Sequence, residues 1–169
     1  MNSIKQIEVI YNNRLVGRLA LTREGLCAFE YSAEWLSSGF SISPFELPLR
    51  SGVFIAKPRP FEGGFGVFDD CLPDGWGLLI LDRYLQQKGI NPRTLTLLDR
   101  LALVGSTGRG ALEFRPDNSV VTRQDFADFE KLALEAEKIL ASDDYMGEGI
   151  EEFQDRGGSP GGARPKIFV

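Results

Sequence analysis

The chain has 169 residues, of which 43% are hydrophobic and 25% are charged, a composition typical of a globular domain. It contains no histidine, so neither Ser-His or Cys-His catalysis nor a histidine-ligated metal can arise within it. Its formal net charge of −5 argues against nucleic-acid binding by the chain as a whole, because neutralising phosphates requires a basic surface.

Membrane insertion, export and disulfide formation are not expected of this sequence. No apolar run approaches the roughly 20 residues of a membrane span, and the first twenty positions carry charges throughout. We therefore expect a cytoplasmic protein without a membrane partner. Cys27 and Cys71 lack the short spacing of a metal or redox pair and should remain reduced thiols. Four basic side chains would create a local basic surface if the fold brought them together: Arg14, Arg18, Lys57 and Arg59.

The first third of the chain is predicted to form an antiparallel β-meander. Residues 4–11 alternate between apolar and polar side chains, Asn12-Asn13 provides a turn, and residues 14–21 continue as a second strand. After another turn, residues 26–31 alternate again and form a third strand. The residues expected to face the core are Ile7, Val9, Tyr11, Cys27, Phe29 and Tyr31, with Gln6, Glu8 and Ile10 on the opposite face of the first strand.

The next segment is predicted to be irregular and to lie at the edge of this sheet. Residues 32–38 are long enough for one helical turn around Trp35. Residues 42–57 contain short apolar pieces interrupted by Pro44 and Pro48, which indicates edge strands because proline cannot donate to a strand ladder.

Two helices are predicted after a loop rich in glycine and aromatic residues at positions 60–72. The first runs from about residue 73 to residue 88 and carries a broad apolar face. The second begins with Asn91-Pro92 as N-cap and first helical residue, and it closes at Gly105. The core-facing leucines of these helices are expected to include Leu79 and Leu98.

A third helix is predicted after a glycine-rich connector at residues 106–110 and a short strand at residues 111–115. Thr122 and Asp125 approximate a capping box at its start. Seven apolar residues keep helical spacing along its predicted buried face: Phe126, Phe129, Leu132, Ala133, Ala136, Ile139 and Leu140. Strands followed by helices indicate an α+β fold, an antiparallel β-meander with a small helical subdomain.

A cluster of aspartates, Asp69, Asp70 and Asp74, precedes the first predicted helix. Its simplest interpretation is N-terminal capping, with a favourable interaction between the carboxylates and the helix dipole. A metal-binding or general-base role would require partners from elsewhere in the fold. The neighbouring aromatic residues form either a binding surface or the core beneath a long loop, and we favour the core: Phe61, Phe65, Phe68 and Trp76.

The segment at residues 157–169 combines a glycine-rich loop with the start of a strand. Small residues let backbone N–H groups approach an anion, and Lys166 just beyond them can meet a phosphate charge. A flexible linker has the same composition, and the P-loop and dinucleotide motifs are both absent. Because β-branched and aromatic residues end the sequence at Val169, we expect the front portion of a larger nucleotide-using protein.

Several segments together resemble the N-terminal region of HipA-like serine/threonine kinases, the toxins of bacterial toxin–antitoxin pairs. The most specific match is Phe-Asp-Asp-Cys-Leu-Pro-Asp-Gly-Trp-Gly at residues 68–77, because the family has a similar Leu-Pro-Asp entry to its first helix. The resemblance covers most of residues 4–116 and resumes at residues 159–168. The other matching segments occur in the family's order: 9–19, 29–36, 43–49, 98–105 and 108–112.

The resemblance implies that residues 159–166 form the ATP-phosphate loop of such a kinase. Ser159 occupies the position of a serine that can be autophosphorylated, although Pro160 replaces a bulkier apolar residue and restricts the serine backbone. The implied cofactors are ATP and Mg²⁺ in the full-length kinase. None is expected for this chain alone, and it should carry no catalytic or metal-binding residue, because the family's aspartates for these roles lie in a C-terminal domain. The residues implied to bind the cofactor are Gly161, Gly162, Ala163 and Lys166.

The resemblance divides the chain into an N-terminal domain at residues 1–116, a connecting helix and acidic linker at 117–156, and the start of a kinase-like domain at 157–169. It implies three partners: a HipB-like helix-turn-helix antitoxin, the C-terminal kinase domain and a protein substrate, typically an aminoacyl-tRNA synthetase. Direct nucleic-acid binding is not expected. Two alternatives are a stand-alone non-catalytic subunit that binds and restrains a separate HipA-like kinase chain, and a phosphate- or peptide-binding domain unrelated to toxins.

Overall fold

The structure is a computed structural model that describes residues 4–73, 75–108 and 110–119. The third predicted helix, at residues 122–140, lies outside the described residues, as does the glycine-rich terminal loop. The described part of the chain divides into two compact units.

The first unit, built from residues up to Leu72 and from Leu95–Ser119, contains a five-stranded antiparallel sheet. Its strands are β1 (Gln6–Tyr11), β2 (Arg14–Leu21), β3 (Cys27–Tyr31), β4 (Val53–Ile55) and β5 (Glu113–Arg115). They lie in the order β4-β3-β2-β1-β5, so the predicted meander of three strands is confirmed and gains an edge strand on each side. Asn12 and Asn13, with φ of 46° and 59°, form the predicted turn between β1 and β2.

The register of β1 corrects the predicted alternation at its end. Ile10 was expected on the open face, yet only 3% of it is exposed. The pairing of β1 with β2 shifts between Val9 and Ile10, so that Ile10 lies opposite Leu15. Such a bulge inserts one residue into a strand and turns the following side chains. The predicted inward side chain of Tyr11 is consequently only partly buried and meets the Phe40 ring edge-on at 5.3 Å.

The helices are α1 (Ala33–Ser38), α2 (Gly66–Asp69), α3 (Gly75–Gln87) and α4 (Leu97–Val104). The predicted helical turn at residues 32–38 is confirmed as α1, and Ser32 caps it by accepting a hydrogen bond from the Trp35 N–H at 3.1 Å. The short helix α2 lies inside the segment that was predicted to be a loop at residues 60–72.

The core of the first unit lies on one face of the sheet. Four adjacent strands present a row of buried side chains in register: Ile7, Leu19, Phe29 and Phe54. Phe68 from α2 and Leu98 from α4 are fully buried and belong to the same core, which confirms the prediction for Leu98. The three predicted inward positions of β3 are also buried: Cys27, Phe29 and Tyr31.

The second predicted helix begins later than its sequence suggests. Asn91 starts only a single 3-10 turn, Pro92–Thr94, and its side chain accepts the Arg93 N–H at 3.1 Å. The α-helix itself begins at Leu97, because Thr96 and Asp99 form a reciprocal capping box with N–H to oxygen distances of 3.2 and 2.9 Å. The prediction of one helix from Asn91 to Gly105 is therefore wrong in its start and correct in its end.

The second unit contains α3, whose bounds agree with the predicted helix at residues 73–88 to within two residues. Leu81, Tyr84 and Leu85 are buried on it. Gly89 follows with φ of 73°, a left-handed conformation that ends helices at little cost for glycine. The side chain of Leu79 lies outside the described side chains.

Candidate interaction surface

The residues that the sequence assigned to a phosphate site lie outside the described part of the chain. These are Ser159, Gly161, Gly162, Ala163 and Lys166, and their role remains a prediction. Within the described residues, no group of three or more His, Cys, Asp or Glu side chains is placed to hold a metal ion. No described helix has the length and apolar character needed to cross a membrane.

The aspartate cluster occupies the end of a helix in the structure. Asp69 is the last residue of α2 and Asp70 is its C-cap, so the prediction of N-terminal capping is wrong for both. The reason is that residues 66–69, in a segment expected to be a loop, form α2, which ends at these aspartates. Burial, and then the charges of Asp70 and Glu62, raise the pKa of Asp69. Asp74 lies outside the described residues.

The aromatic group near this helix belongs mainly to the core, as predicted. Phe65 and Phe68 are buried, with ring centroids 6.1 Å apart, and Phe61 is partly buried. The side chain of Trp76 lies outside the described side chains. The aromatic residues of this loop therefore supply little free binding surface.

Both cysteines are free thiols, as expected, and neither is suited to nucleophilic chemistry. Burial raises the pKa of Cys27 to about 11. Burial, and to a smaller extent the Asp70 charge, raises the pKa of Cys71 to about 11. A thiolate is the reactive form of cysteine, and at neutral pH both side chains stay protonated.

Exposed apolar side chains are concentrated in one stretch between α1 and β4. All large hydrophobic residues that are exposed in the described part of the chain fall within residues 40–55, here called the apolar segment. The most exposed is Phe45, at 99%. The full set is Phe40, Phe45, Leu49, Val53 and Ile55. Single exposed hydrophobic residues are normal on proteins, whereas a contiguous apolar patch marks an interaction site, which makes the apolar segment a candidate for one.

The turn that carries Phe45 is held by buried hydrogen bonds on its far side. Ser43 and Leu47 form an isolated β-bridge, with the Leu47 N–H donating to the Ser43 carbonyl at 2.7 Å. Leu47 is fully buried, and its carbonyl accepts the Tyr31 hydroxyl at 2.6 Å and the Ser41 hydroxyl at 2.8 Å. Phe45 therefore projects from a turn whose base is fixed to β3.

Two further contacts hold the apolar segment, one next to Phe45 and one at Phe40. The Glu46 carboxylate accepts the N–H of Gly66, the first residue of α2, at 3.0 Å, which satisfies a free helix donor. At the other end, Trp35 donates its indole N–H to the Phe40 carbonyl at 2.8 Å and packs edge-on against the Phe40 ring at 5.1 Å. The backbone around Phe45 is therefore held by contacts within the chain, without a partner.

Of the four basic residues named in the sequence analysis, two lie on β2 and two follow β4 in the chain. Arg14 lies near the Glu34 carboxylate at 3.9 Å, and Arg18 donates to Glu8 at 3.4 Å. Lys57 and Arg59 instead follow β4, both exposed, beside the apolar segment. Arg14 and Arg18 thus face carboxylates, whereas Lys57 and Arg59 are exposed cations that follow the edge strand β4.

Sequence reasoning missed the apolar segment because it interpreted residues 42–57 as edge strands. Only Val53–Ile55 forms a strand with β3, and residues 43–47 form a turn. The available signal was Phe45 between Pro44 and Pro48, since prolines favour turns and turns lie on the surface. Among the described residues, the exposed side chains of the apolar segment are the candidate binding feature.

Comparisons with known proteins agree with this fold. The family model of the HipA N-terminal domain matches residues 7–115. HipA of the toxin–antitoxin system of Shewanella oneidensis MR-1, solved in a complex with HipB and its operator DNA, has a similar structure, with a TM-score of 0.50 and 19% sequence identity. The match covers 85% of this chain and 31% of that chain, so this chain spans less than a third of that HipA. No curated protein matches it significantly.

Proposed function

We propose a function from one premise, that the chain belongs to the family of HipA N-terminal domains. It is the N-terminal portion of a HipA-like toxin, a serine/threonine protein kinase. Its role is to support the catalytic domain, to supply the ATP-phosphate loop of that domain and to bind a HipB-like helix-turn-helix antitoxin, and it is inactive alone. The observation that carries the proposal is the confinement of all exposed large hydrophobic side chains of the described residues to the apolar segment.

The physical basis of this binding role is the exposed side chain of Phe45. Moving a phenylalanine side chain from water into an apolar pocket is worth about 1.5–3 kcal/mol. The hydrogen bonds of Leu47 and Glu46 hold the turn in place, so little backbone freedom is lost when a partner binds. An aromatic residue on a rigid support is the kind of side chain that dominates protein interfaces.

The catalytic part of the proposal concerns the predicted ATP-phosphate loop at residues 159–166. In the full-length kinase, ATP and Mg²⁺ bind with the phosphates against the backbone N–H groups of Gly161, Gly162 and Ala163, near Lys166. Such N–H donors can stabilise charge on the transferred phosphate, while metal ligands and a base come from the rest of the protein. Burial raises the pKa values of Cys27 and Cys71 to about 11, so the proposal assigns neither thiol a nucleophilic role.

Replacing Phe45 with aspartate in the full-length kinase tests the binding role. The change places a carboxylate where an apolar contact is expected, so the affinity for the cognate antitoxin should fall by at least about tenfold. Phosphate transfer and the thermal midpoint should stay at wild-type values. The affinity is measured by calorimetric titration of the antitoxin into each kinase variant.

Two controls accompany the Phe45 variant. Phe45→Leu keeps an apolar side chain and should retain most of the affinity. Arg23→Asp places the same carboxylate on an exposed residue of the turn between β2 and β3 and should leave binding unchanged. Wild-type affinity in Phe45→Asp, or equal losses in Phe45→Asp and Arg23→Asp, would show that the antitoxin does not use the apolar segment.

A further inference from the structure

The hydrogen bonds between β3 and β4 determine which backbone groups of β4 point away from the sheet. The Ala56 N–H donates to the Cys27 carbonyl at 2.8 Å. Hydrogen-bonded pairs alternate with unbonded pairs along an antiparallel ladder, so Phe54, two residues earlier, is also bonded to β3. Ile55 lies between these positions and Val53 precedes Phe54, so the N–H and C=O groups of both residues point toward the free edge.

The same two residues also expose their side chains. Val53 is 57% exposed and Ile55 is 60% exposed, and alternation places both on the face of the sheet opposite the core. Within the described residues β4 is an edge strand, and no hydrogen bond joins the outward groups of Val53 or Ile55 to another described residue. The edge therefore offers backbone donors, backbone acceptors and aliphatic contacts together.

Cations flank this edge on both sides. Arg50 precedes β4, and Lys57 and Arg59 follow it, all three exposed. None of them forms an ion pair with a described residue, in contrast to Arg14 and Arg18 on β2. The Arg50 guanidinium lies over the Phe54 ring at 4.6 Å, which holds it beside the strand. A segment that pairs with β4 would thus place its ends near positive charge.

We propose that the free edge of β4 binds an extended acidic peptide segment of a protein partner by strand addition. The segment forms a sixth strand whose backbone pairs with Val53 and Ile55. Its aliphatic side chains lie beside theirs, and carboxylates at its ends meet Arg50, Lys57 and Arg59. Backbone pairing supplies affinity and the charges select the sequence. Val53 and Ile55 also belong to the apolar segment, but this inference goes beyond the proposed function and does not depend on it, because no antitoxin is needed to test it.

Fluorescence anisotropy with designed peptides tests the backbone contribution. The probe is a labelled peptide of sequence EDVTVTVDE, titrated with the 169-residue chain, and we expect saturable binding. A probe of the same sequence with methyl groups on alternate backbone nitrogens keeps every side chain but cannot donate to a strand ladder. It should bind at least about tenfold more weakly. Equal affinities of the two probes would overturn strand addition.

A proline variant tests the same contact from the protein side. Ile55→Pro removes an outward N–H while leaving the hydrogen bonds of Phe54 and Ala56 to β3, and prolines are tolerated at such edge positions. It should weaken binding of the acidic probe by about tenfold without lowering the thermal midpoint substantially, whereas Ile55→Val should bind normally. Unchanged affinity in a folded Ile55→Pro variant would contradict the proposal.

Charge exchange keeps the proposal testable if the proline variant fails to fold. The double variant Lys57→Glu, Arg59→Glu should lose about tenfold in affinity for the acidic probe and gain affinity for its counterpart KKVTVTVKK. If the wild-type chain bound the acidic and the basic probe equally well, the proposed preference for acidic peptides would be wrong. A second copy of this chain is the alternative occupant of the β4 edge, and sedimentation of the chain alone tests for it. Self-association that Ile55→Pro abolishes, in a chain that does not bind the peptide, would assign the edge to that copy and contradict the proposal.

Discussion

Replacing Phe29 with alanine is expected to lower the free energy of unfolding by about 3–5 kcal/mol, the range for removing a buried phenylalanine. Phe29 is fully buried at the centre of β3, and its ring contacts those of Tyr31 at 4.9 Å and Phe68 at 5.4 Å. It also lies directly beneath Gly17, where an added Cβ would come within 2.7 Å of the ring. Alanine therefore leaves a cavity at the contact between the sheet and α2.

Chemical denaturation of the chain measures this loss, and Phe45→Ala is the matched control. The same atoms are removed from a side chain that is 99% exposed, so a change within about 0.5 kcal/mol is expected. A loss below about 1 kcal/mol in Phe29→Ala, or similar losses in the two variants, would contradict the described core.

Valine at Gly161 or Gly162 is expected to reduce phosphate transfer by the proposed full-length kinase by about 10²-fold or more. If residues 159–166 hold ATP phosphates, donation comes from backbone N–H groups, which glycine leaves accessible. A branched side chain at either position obstructs the approach of the phosphate by its volume. The initial rate of transfer from labelled ATP to a protein substrate is the quantity to measure.

Variants of Ser159 separate the loop's binding role from its modification. Ser159→Ala should retain ATP binding while removing one phosphate acceptor, and Ser159→Asp should mimic a loop displaced by its own negative charge. Ala163→Gly, which adds no volume, should retain near wild-type transfer. Wild-type rates in both glycine variants would mean that the terminal segment is a linker and that it does not hold the nucleotide.

The strands that were predicted correctly are those whose signals are local. Asn12-Asn13 supplies a left-handed turn between two alternating runs, so β1 and β2 could be placed from neighbouring residues alone. Ser32 likewise caps α1 three residues ahead of Trp35, a spacing visible in the sequence. The α+β fold class followed from the order of such elements.

The start of α4 could not be chosen from local signals, because two N-terminal signals compete. Asn91-Pro92 and the Thr96–Asp99 box each resemble a helix start. Asp99 also accepts the N–H of Ile4 at 2.9 Å, a contact across 95 positions of sequence. This tertiary hydrogen bond favours the second signal and is invisible in a local pattern.

The apolar segment was unpredictable for a similar reason. Phe45 is exposed because the Tyr31 hydroxyl and the Gly66 N–H anchor the residues beside it, and neither partner is its neighbour in sequence. The phosphate loop differs again, since family resemblance alone assigned Ser159, Gly161, Gly162, Ala163 and Lys166. Its role stays a prediction.

The central claim of the proposed function is that this chain binds the HipB-like antitoxin of the proposed kinase but does not transfer phosphate itself. Titration of the cognate HipB-like antitoxin into the 169-residue chain tests it most directly, with phosphate transfer assayed on the same sample. The account predicts saturable antitoxin binding, weakened by Phe45→Asp, and no phosphate transfer. No antitoxin binding by a folded chain, when the full-length kinase binds tightly under the same conditions, would contradict it.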